Sequence, residues 1–424
     1  MSNKFVAIDL GSTRISAMAA EVQEDGFLKI LGIESKPADD IKYGTVEQVS
    51  GAAYKINELV KLLENSARLG KVDVVSVSVG AKSMKNIFVT VSHSVGASNT
   101  VSELLVSDML VEAERKVTGE QIAVYDVIPL WYELDGKRMD EPVGQPGNQL
   151  VGKYNVVFGN ATIAENLERC FDRNGLILEY RCLAVDAIST AVLDEDEREK
   201  GCALINLGGL TSTLAIFADG ALQKLVVVPL GGKHITKDIE EFGISEQNAE
   251  RLKCVKGAAL ESAVGKPINI KVPSINPENP PELVSTQILA LAIEARLDDI
   301  MNPIFDAIEA FEGSLDSGII LTGNASRLIG ISDYIKERTG FKTRFGNYND
   351  WLGENTDPKY IDISYSQLAG TILLNHEYRQ EHPLEDKVKA KKKSAVDTPN
   401  KNRKLGVTAT KLLFDFFEDK NKMS

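Results

Sequence analysis

The chain has 424 residues, 43% of them hydrophobic and 26% charged, with a formal net charge of −13. That length accommodates two or three domains with separate cores, and the acidic balance excludes the body as a general nucleic-acid binder. No run of about 18 apolar residues predicts a membrane span, and neither the four cysteines (Cys170, Cys182, Cys202, Cys254) nor the four histidines show metal-ligand spacing. The cysteines are expected to be reduced thiols of a cytoplasmic protein. The apolar pattern that starts by residue 5 leaves no room for a signal peptide.

Residues 5–10 and 15–22 predict two strands joined by a glycine-containing corner, and 27–35 a third. Apolar residues at helical spacing (Ala53, Ile56, Leu59, Val60, Leu63) predict a helix over 50–69, and 72–79 reads as another strand. Strands separated by a helix point to a layered α/β unit. Residues 84–161 read as a small β-rich module, with strands at 86–92, 122–134 and 154–159, a Gly/Pro loop at 141–148, and a helix over 102–117 capped by Ser102. Helices follow at 163–174 and 186–193, around a strand at 176–182, with Asp186 read as a helix cap.

The stretch 204–217, LINLGGLTSTLAIF, repeats the plan of 5–17, FVAIDLGSTRISA: strand, glycine corner, hydroxyl run, strand. A strand at 222–229 and a helix from 231 to 242 come next. Residues 244–308 read as mainly helical around one strand, 268–272, with a proline-rich loop at 273–281. A buried strand at 318–322 leads into Gly323-Asn324-Ala325, then a helix over 328–338 and a last one over 364–374. From Tyr378 to Lys404 basic residues outnumber acidic ones and apolar residues are few, the composition of a flexible linker.

A glycine corner lets backbone N–H groups approach phosphate oxygens with no Cβ in the way, and adjacent hydroxyls add donors. Two such hairpins about 200 residues apart could face each other across a cleft and hold a phosphate chain. Either one alone reads more readily as an ordinary β-hairpin turn; two, followed by a third glycine turn at Gly323, favour the phosphate site. Asp9, at the end of the first strand, could hold a water on Mg²⁺. Glu250 and Lys253, one turn apart on a helix, read by spacing alone as a surface ion pair worth a few tenths of a kcal/mol.

AIDLGST, LINLGGLTST and IILTGNAS, in that order, resemble the first phosphate, second phosphate and adenosine motifs of the actin-like ATPase superfamily. The β-rich insert, the sequence AERLK at 249–253, the polar linker and the C-terminal amphipathic stretch resemble the FtsA family of bacterial cell-division proteins within it. The fold that this resemblance implies is α/β, a two-lobed actin-like (ribonuclease-H-like) ATPase fold. Residues 1–83, 162–199 and 360–378 would form the first lobe core, with a small inserted subdomain at 84–161. Residues 200–243 and 309–359 would form the second lobe core, with a small helical subdomain at 244–308. A basic linker (379–404) and an amphipathic helix (405–424) would follow.

The resemblance further implies that Asp9, Gly11, Ser12 and Thr13 embrace the phosphates of ATP from one side, and Asn206, Gly208, Gly209 and Thr211 from the other. Glu250 and Lys253 would face ribose and adenine, Gly323 and Asn324 would line the adenosine pocket, and Asp9 would serve Mg²⁺. It also implies FtsZ as the main partner, docking on 244–308, with self-association into filaments, other division proteins and an anionic membrane surface as further contacts. The expected location is cytoplasmic, peripheral on the inner face of the cell membrane at the division site.

Several positions depart from the motif. Asn206 stands where an aspartate is usual, Leu210 where a third glycine is usual, and Thr213 and Ala184 where acids are usual. Asn206 can hydrogen-bond a metal-bound water but brings no charge, and Leu210 is expected to crowd the phosphates. Nucleotide binding with slow or absent hydrolysis is therefore expected, and no catalytic residue is assigned.

In the tail, Leu405, Ala409, Leu412, Leu413, Phe416 and Phe417 share one helical face, with Thr408, Lys411, Asp415 and Glu418 opposite. A short helix with aromatic residues on its apolar face, hung on a basic linker, suits an interfacial anchor on anionic lipid. Taken bare it equally suits docking on a partner or on the body of the protein. Two rival readings share the fold: an active ATPase or small-molecule kinase, and an actin-like scaffold of pilus assembly. The first needs a carboxylate base at the γ-phosphate, and the second does not need the terminal helix.

Overall fold

The computed structural model describes residues 3–96 and 99–382. The chain opens with the hairpin β1 (Lys4–Leu10) and β2 (Arg14–Val22), and β3 (Leu28–Pro37) adds antiparallel to β2. A short ribbon, β4 (Ile41–Lys42) and β5 (Thr45–Val46), leads into α1 (Val49–Ser66), which buries Ala52, Ala53, Ile56, Leu59, Val60 and Leu63, the stripe that its spacing predicts. β6 (Val74–Val79) lies parallel to β1.

Residues 85–160 then build a separate sheet. β7 (Lys85–Ser94), α2 (Glu103–Arg115), β8 (Ile122–Leu134), β9 (Lys137–Met139) and β10 (Gln149–Asn160) follow in turn, with strand order β7-β10-β8-β9. The hydroxyl of Ser102 accepts from Leu105 N–H and caps α2. Val91, Met109, Leu150, Tyr154 and Val156 form the core of this unit, where Tyr132 and Tyr154 meet edge to face at 6.1 Å.

The chain returns through α3 (Thr162–Arg173), β11 (Ile177–Leu183) and α4 (Ala184–Val192), and β11 completes the first sheet in the order β11-β6-β1-β2-β3. Asp186 does not cap α4: the cap position is Leu183, and Asp186 lies inside the first turn. α5 (Glu195–Lys200) precedes a second sheet that repeats the plan of the first. β12 (Cys202–Leu207), β13 (Ser212–Ala218) and β14 (Ala221–Val228) are antiparallel. After them come α6 (Gly232–Glu240), α7 (Glu246–Lys256), β15 (Asn269–Val272), β16 (Glu282–Ser285) and α8 (Thr286–Glu309). β17 (Ile319–Thr322), α9 (Ile331–Thr339) and β18 (Thr343–Phe345) complete the order β14-β13-β12-β17-β18. The strand at 282–285 is an addition to the elements read from sequence; it is short, with Val284 its one buried residue, so it shows no alternation.

Alternation in β12 and β13 decides how the lobes pack. Ala203, Ile205, Leu207, Leu214 and Ile216 point into the core formed with α6–α9, while Leu204, Ala215 and Phe217 join the core of the first lobe. Asn206 and Thr213 carry that second parity and lie opposite each other at the strand ends. They therefore stand where the lobes face one another.

The final helix, α10 (Ser366–Glu381), packs across α4 and β1. It runs past the point where composition shifts toward a linker. Tyr378 is buried, and Arg379 pairs through its guanidinium with Glu179, which is 3% exposed. Residues 379–381, placed by composition in the linker, are thus helical; the basic character of Arg379 serves a buried carboxylate rather than solvent. The expected linker beyond this helix and the amphipathic stretch with Leu405, Leu412, Leu413, Phe416 and Phe417 lie outside the described residues.

Candidate nucleotide-binding cleft

The two glycine corners meet. Gly209 sits so close to the first hairpin that a Cβ there would lie 2.2 Å from Thr13 Cγ2. Gly323 has φ = 87° and faces Asn206 and Leu207, where a Cβ would lie 2.4 Å from Asn206 Oδ1. Both positions require glycine, the second for its backbone conformation as well as for space. Between the corners lies a cavity of about 670 Å³. Asp9, Gly11, Ser12 and Thr13 line it from the β1–β2 corner, and Asn206, Gly208, Gly209 and Thr211 from the β12–β13 corner. Glu250 and Lys253 line it from α7, and Gly323 and Asn324 from the end of β17. All twelve candidate residues thus border one space.

Local hydrogen bonds explain the shape of the corners. Gly208 N–H donates to Thr211 O (3.0 Å), and the carbonyls of Gly208 and Gly209 accept from Gly232 and Lys233 N–H at the start of α6 (2.9 and 2.8 Å). Ser12 Oγ accepts from Gly44 N–H at 3.1 Å. Asp9 Oδ1 accepts from Gln367 Nε2 at 2.9 Å, and the same amide donates to Ser78 Oγ. Burial pushes the Asp9 carboxyl up to about 6, against the opposing charge of Arg14 and the hydrogen bond from Gln367.

Glu250 and Lys253 are not the surface pair that their spacing suggests. Lys253 is 8% exposed, and its ammonium donates to Gly232 O (2.9 Å), Thr236 Oγ1 (2.8 Å) and Glu250 Oε2 (3.0 Å). Glu250 also accepts from Thr236 Oγ1. Burial opposes ionisation of Glu250, but these hydrogen bonds and the lysine charge hold its carboxyl below the usual range.

Leu210 is not among the cavity-lining residues, so the expected crowding of a phosphate is corrected. Thr213, Asn206 and Ala184 do line it, so three positions where acids would stand carry none. The lining carboxylates are Asp9 and Glu250, on different walls. Mg²⁺ is usually held by one or two carboxylates together with phosphate oxygens and waters. On the phosphate side this cleft offers Asp9, with one oxygen engaged by Gln367, so Asp9 could hold Mg²⁺ together with phosphate oxygens and waters but without a second carboxylate beside it. Arg14, Ser78, Lys233, Arg327 and Gln367 border the cavity without having been singled out from the sequence. Gln367 belongs to no motif and reaches Asp9 across 358 positions of chain.

A model of the family described as "Cell division protein FtsA" matches residues 203–367. Cell division protein FtsA of Agrobacterium fabrum is 30% identical over 356 residues, covering 80% of each chain. That of Pseudomonas aeruginosa is 28% identical over 347 residues, covering 80% of this chain and 82% of its own. That of Escherichia coli K12 is 28% identical over 342 residues, covering 77% and 80%. Among solved structures, a PilM-PilN type IV pilus biogenesis complex superposes with a TM-score of 0.62 at 15% identity, over 88% of this chain and 98% of that one. MreB5 of Spiroplasma citri bound to ADP gives 0.54 at 13%, over 92% and 98%. These two show the actin-like fold, and the sequence relatives show that the chain belongs to the FtsA family of cell division proteins.

Proposed function

We propose that this chain is a nucleotide-binding scaffold of the division ring that tethers FtsZ filaments to the inner face of the cytoplasmic membrane. The observation that carries the nucleotide part is the convergence of three glycine corners on one cavity, with Gly209 against Thr13 and Gly323 against Asn206. Asp9, Gly11, Ser12 and Thr13 would take the phosphates with Asn206, Gly208, Gly209 and Thr211. Glu250, Lys253, Gly323 and Asn324 would border the nucleoside. The carboxylates missing at Asn206, Thr213 and Ala184 remove three candidate bases for an attacking water, which supports weak or no hydrolysis. Family membership supports work at the division site and association with other division proteins and with further copies of the chain.

The membrane part rests on the sequence at 405–424, where Leu405, Leu412, Leu413, Phe416 and Phe417 make an apolar face behind a basic linker. Asp415 and Glu418 keep a single such helix a modest binder, so an assembly presenting many copies would hold the surface by avidity. Co-sedimentation with anionic liposomes tests the whole reading, using the full chain and a chain lacking 405–424, each with and without FtsZ and ATP. The full chain is expected to pellet with liposomes and to bring FtsZ with it, and the shortened chain to stay in solution. Equal pelleting of the shortened chain would refute the anchor, and FtsZ left in the supernatant with the full chain would refute the tether.

A further inference from the structure

The one carboxylate on the phosphate side of the cleft has its two oxygens in different surroundings. Asp9 Oδ1 accepts from Gln367 Nε2 at 2.9 Å. Asp9 Oδ2 has no hydrogen-bond partner among the described residues, and it lies 3.6 Å from the place that a Cβ on Gly11 would occupy. The free oxygen thus stands beside the β1–β2 glycine corner, while the other is held from α10.

Gln367 can set this orientation because its amide is itself fixed. Asp9 and Ser78 face each other in the register of β1 and β6, and one amide nitrogen serves both: it also donates to Ser78 Oγ at 2.9 Å. Turning the amide over would set its carbonyl oxygen against the carboxylate, so the donor side faces Asp9 for an electrostatic reason. The main chain is held as well. Gln367 lies in the first turn of α10, flanked by the buried Ser366 and Leu368, and its carbonyl accepts from Thr371 Oγ1 at 2.7 Å. One turn on, a Cβ at Gly370 would lie 1.6 Å from Ala187 O, so α10 is seated on α4 at backbone distance.

A site with two carboxylates can keep a cation in place through either one. With Asn206, Thr213 and Ala184 neutral, this cleft has Asp9 alone on the phosphate side. The direction of its free oxygen then decides whether Mg²⁺ can be shared between protein and phosphate oxygens. The terminal torsion of an aspartate is broad, so a carboxylate left to itself would offer that oxygen in only part of its orientations. A neutral donor on one oxygen fixes the other without placing a positive charge beside the cation.

We propose that Gln367 is a positioning residue for magnesium–nucleotide binding: by holding Asp9 Oδ1 from the start of α10, it presents Asp9 Oδ2 to a cation shared with the phosphates. This rests on the nucleotide reading above. The test is calorimetric titration of the full chain with ATP, in Mg²⁺ and in excess EDTA, and the quantity read is the ratio of the two Kd values. The parent chain is expected to bind about tenfold tighter in Mg²⁺. Gln367→Met keeps the length and loses the donors, and Gln367→Asn keeps the amide and loses the reach. Each is expected to lower the ratio about fivefold, while the Kd in EDTA stays within about twofold of the parent's. In an Asp9→Asn background, Gln367→Met is expected to change nothing further, as two residues acting through one group require. A purely structural role would weaken binding alike in both conditions or only lower the melting temperature, and either result would overturn the proposal. So would a parent chain whose Kd is the same in Mg²⁺ and in EDTA, a result read on the unaltered protein. Failure of ATP to bind in either condition would overturn the nucleotide reading itself, a distinguishable result.

Discussion

Lys253 can carry its charge into the interior because three oxygens meet its ammonium there. Lys253→Met keeps the stem and removes the charge, leaving Gly232 O and Glu250 Oε2 with Thr236 Oγ1 alone as side-chain donor and Glu250 without its closest positive charge. Urea unfolding is expected to show a loss of about 2–3 kcal/mol. Asp126 shows the opposite situation. It is a buried carboxyl that accepts from Val127 N–H, and burial raises it from 3.8 to about 6. Asp186 on α4 lies close enough for each charge to disfavour the other, with Arg198 on α5 opposing it. A folded-state pKa above the unfolded one means that the native protein holds the proton longer. Stability is then greatest in acid and falls as pH rises from about 4 through 6. Asp126→Asn removes the titration, so it is expected to raise the melting temperature at about pH 8 and leave it nearly unchanged at about pH 4. Equal shifts at both values would contradict this account.

At the scale of elements, the inserted sheet and the second lobe are joined by two asparagines. β14 is an edge strand, so its outward backbone groups need partners. Asn86 on β7 accepts from Leu225 N–H (3.0 Å) and donates to Gln223 O (3.1 Å), and Asn155 on β10 donates to Leu222 O (2.7 Å). The two side chains also bond each other at 2.7 Å. Asn155 is fully buried, so Asn155→Leu strands Leu222 O and half of Asn86, at an expected cost of about 1–3 kcal/mol. Asn86→Ala is expected to speed hydrogen exchange of the Leu225 amide without affecting β12, readable by mass spectrometry of peptides across 221–228. None of this follows from strand patterning. β7 is legible as a strand from alternation and part of β10, residues 154–159, as a further strand, but a polar residue at an inward position shows no partner until β14 is placed beside it.

The whole molecule repeats one sheet plan in two lobes and closes them on each other through glycine corners. Gly209→Ala is expected to force the lobes apart at Thr13, costing about 1–3 kcal/mol and weakening nucleotide binding. Thr13→Ser removes the Cγ2 methyl that a Cβ would meet at 2.2 Å, so the double variant is expected to recover most of the loss in thermal melts. If Thr13→Ser gives no rescue, the corners do not touch as described. The sequence by itself determined the local events: where strands alternate, where glycine opens a turn, and which helical stripe is apolar. Those depend on neighbours within a few positions, as do the motifs AIDLGST, LINLGGLTST and IILTGNAS. Only the tertiary structure decided that Lys253 is buried, that Gln367 holds Asp9, that Arg379 belongs to a helix, and that Leu210 stays off the cleft wall. In these cases the deciding partner or surface is contributed by a distant part of the chain, and burial and charge pairing are properties of that meeting rather than of either segment.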